Sequence, residues 1–372
     1  MIFHPSGLRQ VTFESNEKEI QFLRTQWKLY MTNVPDYPKF KYRGKGIVYT
    51  AGGITYTICA WVSISSLRSQ GCFLPIELWY MGNELSTEMI YLFKSLDVEC
   101  KNFHDYGVFE AKGFILKPLA ILYSNFEEVL FLDADNICYG SPDTLFEDKK
   151  YKEFGTIFWP DYWYTGEDNP IWKIVNSPYD QIHEQESGQI LINKAKCWNA
   201  LNLCIHFNKL GDEYYYKMIL GDKDTFKFAW IALETEFYMV EYYPDSCGIV
   251  SEDGNFYGNT IVQYNSEGEL FFLHKNLLKW DITLDYEITW QQIKSFKHDA
   301  EIQQTIFVKN NTGLISLDLV GDVELIDFRE NYGTIEDNCN VHLRNLRNLP
   351  EFYRFVQYSH FATRRYLNGI KS

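Results

Sequence analysis

The chain has 372 residues, enough for one large domain or two modest ones, and 46% of them are hydrophobic, which excludes a disordered protein. Its formal net charge of −15 argues against a nucleic-acid-binding protein, because phosphate backbones are bound by clustered Lys and Arg. Aromatic residues make up 17% of the chain, and such rings both fill cores and stack on sugar faces.

The eight cysteines are scattered without CxxC pairs, so the sequence predicts neither a zinc ribbon nor a disulfide framework. The N-terminus lacks a basic start followed by an apolar segment, and no uncharged apolar run approaches the roughly 18 residues of a membrane span. We therefore expect a soluble protein that is cytoplasmic, or Golgi-luminal if the chain is a truncated form.

Hydrophobic periodicity predicts an amphipathic helix over residues 17–30, followed by alternating strands and helices up to residue 135. The predicted strands are 46–53, 75–81, 98–103 and 127–135, and the predicted helices are 54–68, one begun by Ser86, and 112–124. This alternation is typical of an α/β fold with a doubly wound, mostly parallel sheet flanked by helices. Such sheets bind ligands beyond the carboxyl ends of their strands.

After residue 135 the alternation is less regular. Further strands are predicted at 155–163 and 188–193, helices at 195–210, 223–233 and 351–367, and a small hairpin within 302–328. Because no linker-like change of composition occurs, we expect a helical lead-in (1–43), a main α/β domain (44–290) and a small C-terminal α+β extension (291–372) packed on the same domain.

Asp133 and Asp135 end the apolar strand predicted at 127–135. Two carboxylates one residue apart at a strand end suit Mn²⁺ or Mg²⁺, which prefer carboxylate, water and phosphate oxygens. The alternative is a surface turn that happens to contain two Asp residues. His274 follows another apolar run and could be a third ligand, or a partly buried histidine bonded to a backbone carbonyl. Lys275 or Lys279 could face a phosphate.

The segment GIVYTAGG (46–53) is a strand-to-helix turn whose glycines permit close approach of the backbone to a base or ribose. Two later polar clusters could hold sugar hydroxyls: Glu186, Ser187, Gly188 and Gln189 form one, and Asp222 and Asp224 the other. For Asp222 and Asp224 the alternative role is helix capping.

Aromatic residues are concentrated in the segment 156–164. Trp159 and its aromatic neighbours around Asp161 suit either a sugar-stacking wall or a corner of the hydrophobic core. The sequence pattern does not choose between these two interpretations.

Taken together and in order, these segments resemble the fungal-type α-mannosyltransferases of the family that elongates cell-wall mannan. The resemblance covers roughly residues 44–280 and is carried by GIVYTAGG, LRSQGCFLPIELWY, FILKPLAILYSNFEEVLFLDADN, GTIFWPDYW, QESGQILINK and GDKDTFKFAW. The segments QILIN and FLHKNLLKW are also similar to the glycogenin-like retaining transferases.

The resemblance implies a GT-A-type catalytic fold, a bound Mn²⁺ or Mg²⁺ and a nucleotide-diphospho-sugar donor, with GDP-mannose favoured over a UDP-sugar. It implies the metal ligands Asp133, Asp135 and His274 and the catalytic positions Gln189 and Asp224. The predicted nucleotide-binding set is Tyr49, Thr50, Ala51, Gly52, Lys117, Asp133 and Lys279. The predicted sugar- or acceptor-binding set is Trp159, Asp161, Glu186, Ser187, Gly188, Gln189, Asp222 and Asp224.

The expected function is therefore retaining transfer of a hexose, with mannose favoured, in α linkage onto a hydroxyl of a glycan or glycoprotein acceptor. A transferase of the same fold that uses a UDP-linked glucosyl, galactosyl or N-acetylglucosaminyl donor shares the same motifs. A non-catalytic carbohydrate-binding protein and a glycoside hydrolase, which uses two carboxylates without donor or metal, are the alternatives from other classes.

Overall fold

The computed structural model describes residues 2–11, 15–309 and 313–369. Its strands are β1 (Ile2–Phe3), β2 (Leu8–Gln10), β3 (Lys45–Thr50), β4 (Ile76–Tyr80), β5 (Val98–Asn102), β6 (Glu128–Asp133), β7 (Asn136–Cys138), β8 (Thr156–Thr165), β9 (His183–Asn193), β10 (Tyr238–Met239), β11 (Asp245–Val250), β12 (Phe256–Tyr264), β13 (Leu270–His274), β14 (Gln292–Phe296), β15 (Gln303–Lys309), β16 (Ile315–Gly321) and β17 (Val323–Asp327).

Every predicted helix is present close to its predicted range. The helices are α1 (Glu17–Met31), α2 (Gly53–Ser69), α3 (Thr87–Ser95), α4 (Leu116–Tyr123), α5 (Pro142–Glu147), α6 (Lys149–Phe154), α7 (Pro170–Val175), α8 (Lys194–Lys209), α9 (Lys223–Ala232), α10 (Phe328–Tyr332), α11 (Ile335–Arg347) and α12 (Pro350–Gly369). Five of them (α5, α6, α7, α10 and α11) were not predicted. Ser86 caps α3, as its position indicated, by accepting a hydrogen bond from the Met89 backbone N–H. Helix α4 begins later than predicted because a 3₁₀ turn, Gly113–Ile115, precedes it.

The main sheet has the order β1-β2-β8-β9-β6-β3-β4-β5, with β10 beside β8. Strand β3 runs parallel to both β4 and β6, and β4 runs parallel to β5, whereas β9 is antiparallel to β6 and β8. The expected α/β class, with a mostly parallel sheet flanked by helices, is confirmed.

Both faces of this sheet are buried, which explains the continuous apolar run of β3. Ile47 and Tyr49 lie in one core with Ile58 of α2, whereas Val48 lies in the other core with Ala120 of α4. Because alternate side chains of a strand point to opposite faces, each strand contributes to both cores and leaves its carboxyl end free for ligands.

A second sheet with the order β15-β16-β12-β11-β14-β17 was not predicted, apart from its hairpin. Strand β13 joins it by pairing with both β12 and β7. The expected hairpin is formed by β15 and β16, and residues 310–312 of its turn lie outside the described residues. This sheet combines strands from both sides of residue 290, while the division of the chain at 43 and 290 stays a prediction.

The N-terminal segment also contributes to the main sheet, because β2 pairs in parallel with β8. Arg9 of β2 is completely buried and forms an ion pair with Glu184 of β9. Helix α1 follows, and its Trp27 indole N–H donates to the Ile174 carbonyl. Among the described helices, none combines the length and the apolar character needed to cross a bilayer.

Candidate active site

A cleft of about 600 Å³ lies beyond the carboxyl ends of β3, β4 and β6. This is the edge at which doubly wound sheets bind ligands. Residues predicted to bind donor, metal or sugar form much of its lining: Thr50, Ala51, Gly52, Lys117, Asp133, Asp135, Glu186, Ser187, Asp222, His274 and Lys279.

Strand pairing brings the metal-ligand candidates together. Thr50 and Asp133 are register partners in the parallel strands β3 and β6, so the nucleotide turn and the acidic turn share one edge. Strand β7 begins directly after Asp135, and its Asn136 pairs with His274 of the antiparallel strand β13. The second sheet therefore carries the imidazole to the acidic turn.

Asp133, Asp135 and His274 each offer one ligand atom, and these three atoms lie within 4.8 Å of one another. The Nε2 atom of His274 is 3.3 Å from Asp135 Oδ1 and 3.9 Å from Asp133 Oδ2. Its other ring nitrogen, Nδ1, is 3.3 Å from Glu186 Oε1, the arrangement by which a carboxylate orients a metal-binding histidine. Two carboxylates and one imidazole suit Mn²⁺.

Gly188 lacks a side chain, which leaves space for the His274 imidazole. A Cβ atom at this position would stand 2.4 Å from His274 Nδ1, too close for any other residue without displacing the imidazole. The Gly188 backbone N–H also donates to both carboxylate oxygens of Glu186, at 3.0 and 2.9 Å. Gly188 thus holds the carboxylate that orients the histidine.

Two lysines flank the metal-ligand candidates. Lys117 Nζ lies 3.1 Å from Asp133 and 3.1 Å from Asp222, and donates to the Ser187 carbonyl at 2.8 Å. Lys279 contacts the Asp135 carboxylate from the other side. Together with Glu186, four carboxylates face two ammonium groups, which leaves two negative charges uncompensated when His274 is neutral. This excess matches a divalent cation.

The same packing shifts the pKa values of the cluster. Burial raises the pKa of Asp133 to about 6, although Lys117 and His274 act in the opposite direction. Burial also acts to raise the pKa of Asp135, but His274 and Lys279 outweigh it and lower that pKa. Burial acts to lower the pKa of His274, whereas Glu186 and Asp135 raise it to about 10. A metal ion held by His274 would therefore displace a proton from the imidazole.

Three of the predicted residues lie beneath the cleft and do not line it. Tyr49 is completely buried, and its hydroxyl is hydrogen-bonded to Ser63 at 2.9 Å. Gln189 is equally buried and accepts a hydrogen bond of 2.6 Å from the Asn136 side chain. Trp159 donates to a backbone carbonyl at 2.7 Å and packs against Phe272, which places it in the core and not in a sugar-stacking wall.

Asp224 also lies away from the cleft, in a buried charge network. It accepts a hydrogen bond of 3.0 Å from the Gln185 backbone N–H and lies 2.9 Å from Lys227 Nζ. Asp161 contacts Lys223 and lines a second, smaller cavity. Neither predicted catalytic side chain, Gln189 or Asp224, is brought to the cleft. Both side chains are completely buried, and each is hydrogen-bonded within the protein interior.

Sequence patterns missed two charged residues that line the cleft, Glu84 and Lys223. Lys223 stands between the two aspartates of GDKD and forms ion pairs with Asp161 and Glu184. Glu84 follows the end of β4 by four positions, and position beyond a strand end was the available signal for it.

The chain matches the family model described as "Mannosyltransferase putative" over residues 44–182 and 165–269. It is 32% identical to the α-1,2-mannosyltransferase MNN21 of Candida albicans over 334 residues, which cover 73% of this chain and 50% of that protein. It is 28% identical to the α-1,2-mannosyltransferase MNN2 of Saccharomyces cerevisiae over 306 residues, covering 68% and 51%. The chain thus spans about half the length of the curated relatives it matches.

Among solved structures, the galactosyltransferase LgtC in complex with donor and acceptor sugar analogs shows 16% identity and a TM-score of 0.35. The match covers 50% of this chain and 70% of that one.

Proposed function

Because this chain belongs to the mannosyltransferase family, as its motifs predicted, we propose that it transfers mannose from GDP-mannose to a glycan hydroxyl with α linkage. The observation that carries the proposal is the convergence of Asp133, Asp135 and His274 in a cleft of about 600 Å³. The relatives are named α-1,2-mannosyltransferases, which supports mannose as the transferred sugar.

In this proposal Asp133, Asp135 and His274 hold Mn²⁺ or Mg²⁺. Such an ion neutralises the diphosphate of a nucleotide sugar and stabilises its negative charge as the sugar–phosphate bond breaks. The donor set fits, because the carboxylates supply hard oxygen ligands and Glu186 fixes the orientation of the imidazole. Lys117 and Lys279 stand on either side and contribute two further positive charges toward the phosphates.

The nucleoside extends toward the ends of β3 and β4. At Gly52 a Cβ atom would stand 2.1 Å from the Glu84 carboxylate, so only glycine leaves both the turn and that carboxylate in place. The Gly53 backbone N–H donates to the Glu84 carbonyl at 3.1 Å, so Glu84 lies beside the end of β3, the strand next to β6. In this proposal the base of the nucleotide, joined to the diphosphate through ribose, reaches this carboxylate.

Glu84 supports guanine as the base. A carboxylate can accept one hydrogen bond on each oxygen, and guanine presents two adjacent donors, the N1–H and the 2-amino group. Uracil presents a single N–H between two carbonyl oxygens, and these would face the negative charge of Glu84. GDP is therefore favoured over UDP on chemical grounds.

Transfer with retention requires the acceptor oxygen to approach the sugar C1 from the face that the diphosphate leaves. The new C1–O bond forms, the C1–O bond to the β-phosphate breaks, and the hydroxyl proton passes to the departing phosphate oxygen. No protein nucleophile is needed, which agrees with the buried positions of Gln189 and Asp224. In this proposal they are positioning residues that hold Asn136 and Gln185, and Asp222 and Ser187 face the sugar.

The test is to incubate the protein with Mn²⁺ and either GDP-mannose or UDP-linked glucose, galactose or N-acetylglucosamine, and to measure nucleotide release and glycosyl transfer. We expect release from GDP-mannose alone, and we expect GDP with Mn²⁺ to raise the Tm more than UDP does. Turnover of a UDP-sugar in its place would contradict the donor assignment. Binding without release from any donor would support a non-catalytic carbohydrate-binding protein.

A further inference from the structure

A second cavity, of about 270 Å³, lies beside the donor cleft. Glu186, Leu220 and Lys223 line both cavities, so the two cavities adjoin at these side chains. Its walls come from the N-terminal strand β1, from β8 and from the second sheet, and so from elements that the donor cleft uses little.

One wall of this cavity is aromatic. The rings of Phe3 and Trp163 have centroids 4.7 Å apart, and those of Trp163 and Phe307 are stacked at 5.5 Å. Rings of this kind bind the C–H face of a pyranose, whose burial is favoured by the hydrophobic effect. Phe307 is 45% exposed, so its ring is open to solvent and is not a core residue.

The remaining walls are polar and include Asp161, Ser246, Thr260 and Asn276. The Oδ1 atom of Asn276 is buried and has no hydrogen-bond partner within the described part of the chain. A buried acceptor without a partner is costly, and a ligand hydroxyl would satisfy it. Asn276 follows His274 by two residues, and its backbone N–H donates to the His274 carbonyl at 2.9 Å. The second cavity is therefore joined directly to the segment that carries the imidazole.

We propose that the second cavity is the acceptor subsite and binds the terminal hexose of a neutral oligosaccharide. This inference rests on the proposed function, because it is the position beside the donor sugar that makes a bound hexose an acceptor. The aromatic wall would take the apolar face of the ring, and Asn276 would accept a hydrogen bond from a ring hydroxyl. Asp161 and Glu186 face the cavity against the single ammonium group of Lys223, so the net negative charge would disfavour a phosphorylated or carboxylated sugar and select a neutral one.

The experiment measures binding and not turnover. The Kd of α-methyl mannoside and of a short α-mannoside is measured by calorimetry on the full chain with GDP and Mn²⁺ present. Asn276→Ala and Phe307→Ala are each expected to raise the Kd of the mannoside roughly five- to tenfold. Each substitution should raise the Kd of GDP by a smaller factor. Phe40→Ala, at a position that is 86% exposed and lines neither cavity, is the matched control and should leave both constants at the original values.

An unchanged mannoside Kd in both variants, or an equal rise in the two constants, would overturn the subsite. If the mannoside binds as expected but the protein transfers no mannose, the proposed function fails, while the second cavity stands as a hexose-binding site. If mannose is transferred and neither variant weakens mannoside binding, the function stands and the acceptor lies elsewhere. A sialylated or phosphorylated sugar that binds more tightly than the neutral mannoside would overturn the assigned ligand class.

Discussion

His274 and Asn136 are register partners in the antiparallel strands β13 and β7. Because Asn136 directly follows the acidic turn, this pairing sets the distance of 3.3 Å between the imidazole and Asp135. The candidate third ligand thus belongs to the second sheet, Asp133 ends β6 of the first sheet, and Asp135 lies in the turn that connects β6 to β7. The candidate metal centre lies where the two sheets meet.

Replacing Asp133 with Asn should reduce Mn²⁺-dependent nucleotide release from GDP-mannose at least about 100-fold, because one ligand oxygen and one negative charge are lost. The rate is measured with Mn²⁺ concentration varied. Asp143→Asn is the control, since that carboxylate is half exposed and lies outside the cleft. Full activity in Asp133→Asn would rule out the metal assignment.

Replacing Lys279 with Ala should weaken GDP binding roughly tenfold, because one charge-assisted contact to a phosphate is lost at the edge of the cleft. Isothermal calorimetry at fixed Mn²⁺ measures the effect, and the loss should shrink as salt is raised. Lys173→Ala, on an exposed side chain, is the matched control. Equal affinities of the two variants would show that Lys279 faces no phosphate.

Replacing Glu84 with Gln should weaken the binding of GDP roughly tenfold, because an amide offers one acceptor oxygen where the carboxylate offers two. The difference in affinity between GDP and UDP should therefore become smaller. Competition between the two nucleotides in the presence of Mn²⁺ measures the ratio of the UDP and GDP dissociation constants directly. The control is Glu99→Gln, whose side chain is 60% exposed. A ratio that stays constant would place the base away from Glu84.

Replacing Asp224 with Ala should destabilise the fold by about 3–5 kcal/mol, because Lys227 loses its buried partner and the Gln185 N–H loses its acceptor. Urea unfolding measures the loss, with kcat and KM determined on the fraction that stays folded. A positioning residue should change stability and kinetics together. Normal stability with abolished kcat would instead support the catalytic role that the motif suggested.

Stability should also depend on the pH through Asp245, whose carboxylate accepts hydrogen bonds from Ser295 and Tyr264. Burial raises its pKa to about 6 in the folded chain, although these hydrogen bonds act to lower it. Since the folded pKa exceeds the unfolded one, its contribution to stability is complete below about pH 4 and is lost as the pH rises through about 6.

Replacing Asp245 with Asn should remove this dependence while keeping an acceptor for both hydroxyls. As the pH rises from 4 to 8, the original chain should lose roughly 3 kcal/mol of unfolding free energy relative to the Asp245→Asn variant. Urea denaturation at both pH values measures it. A difference that does not change with pH would mean that Asp245 titrates normally.

The local elements were largely predictable from the sequence. The apolar strands β3 and β6 and the helices between them follow from hydrophobic periodicity, and the capping of α3 follows from Ser86. The position of Asp133 and Asp135 beyond a buried strand correctly predicted that both carboxylates line the cleft at the sheet edge, and metal binding there stays a prediction. These features are decided within a few residues along the chain, where sequence patterns are informative.

The amino-acid sequence alone was therefore enough to identify the family, the strand–helix alternation typical of a parallel sheet, and the acidic turn at the sheet edge. The folded chain was needed to see that β13 carries His274 to that turn, that Gln189 and Asp224 are buried, and that Glu84, Lys223 and Asn276 line cavities. The physical reason is that strand register between distant segments, and the inward or outward direction of a polar side chain, depend on packing across the whole molecule.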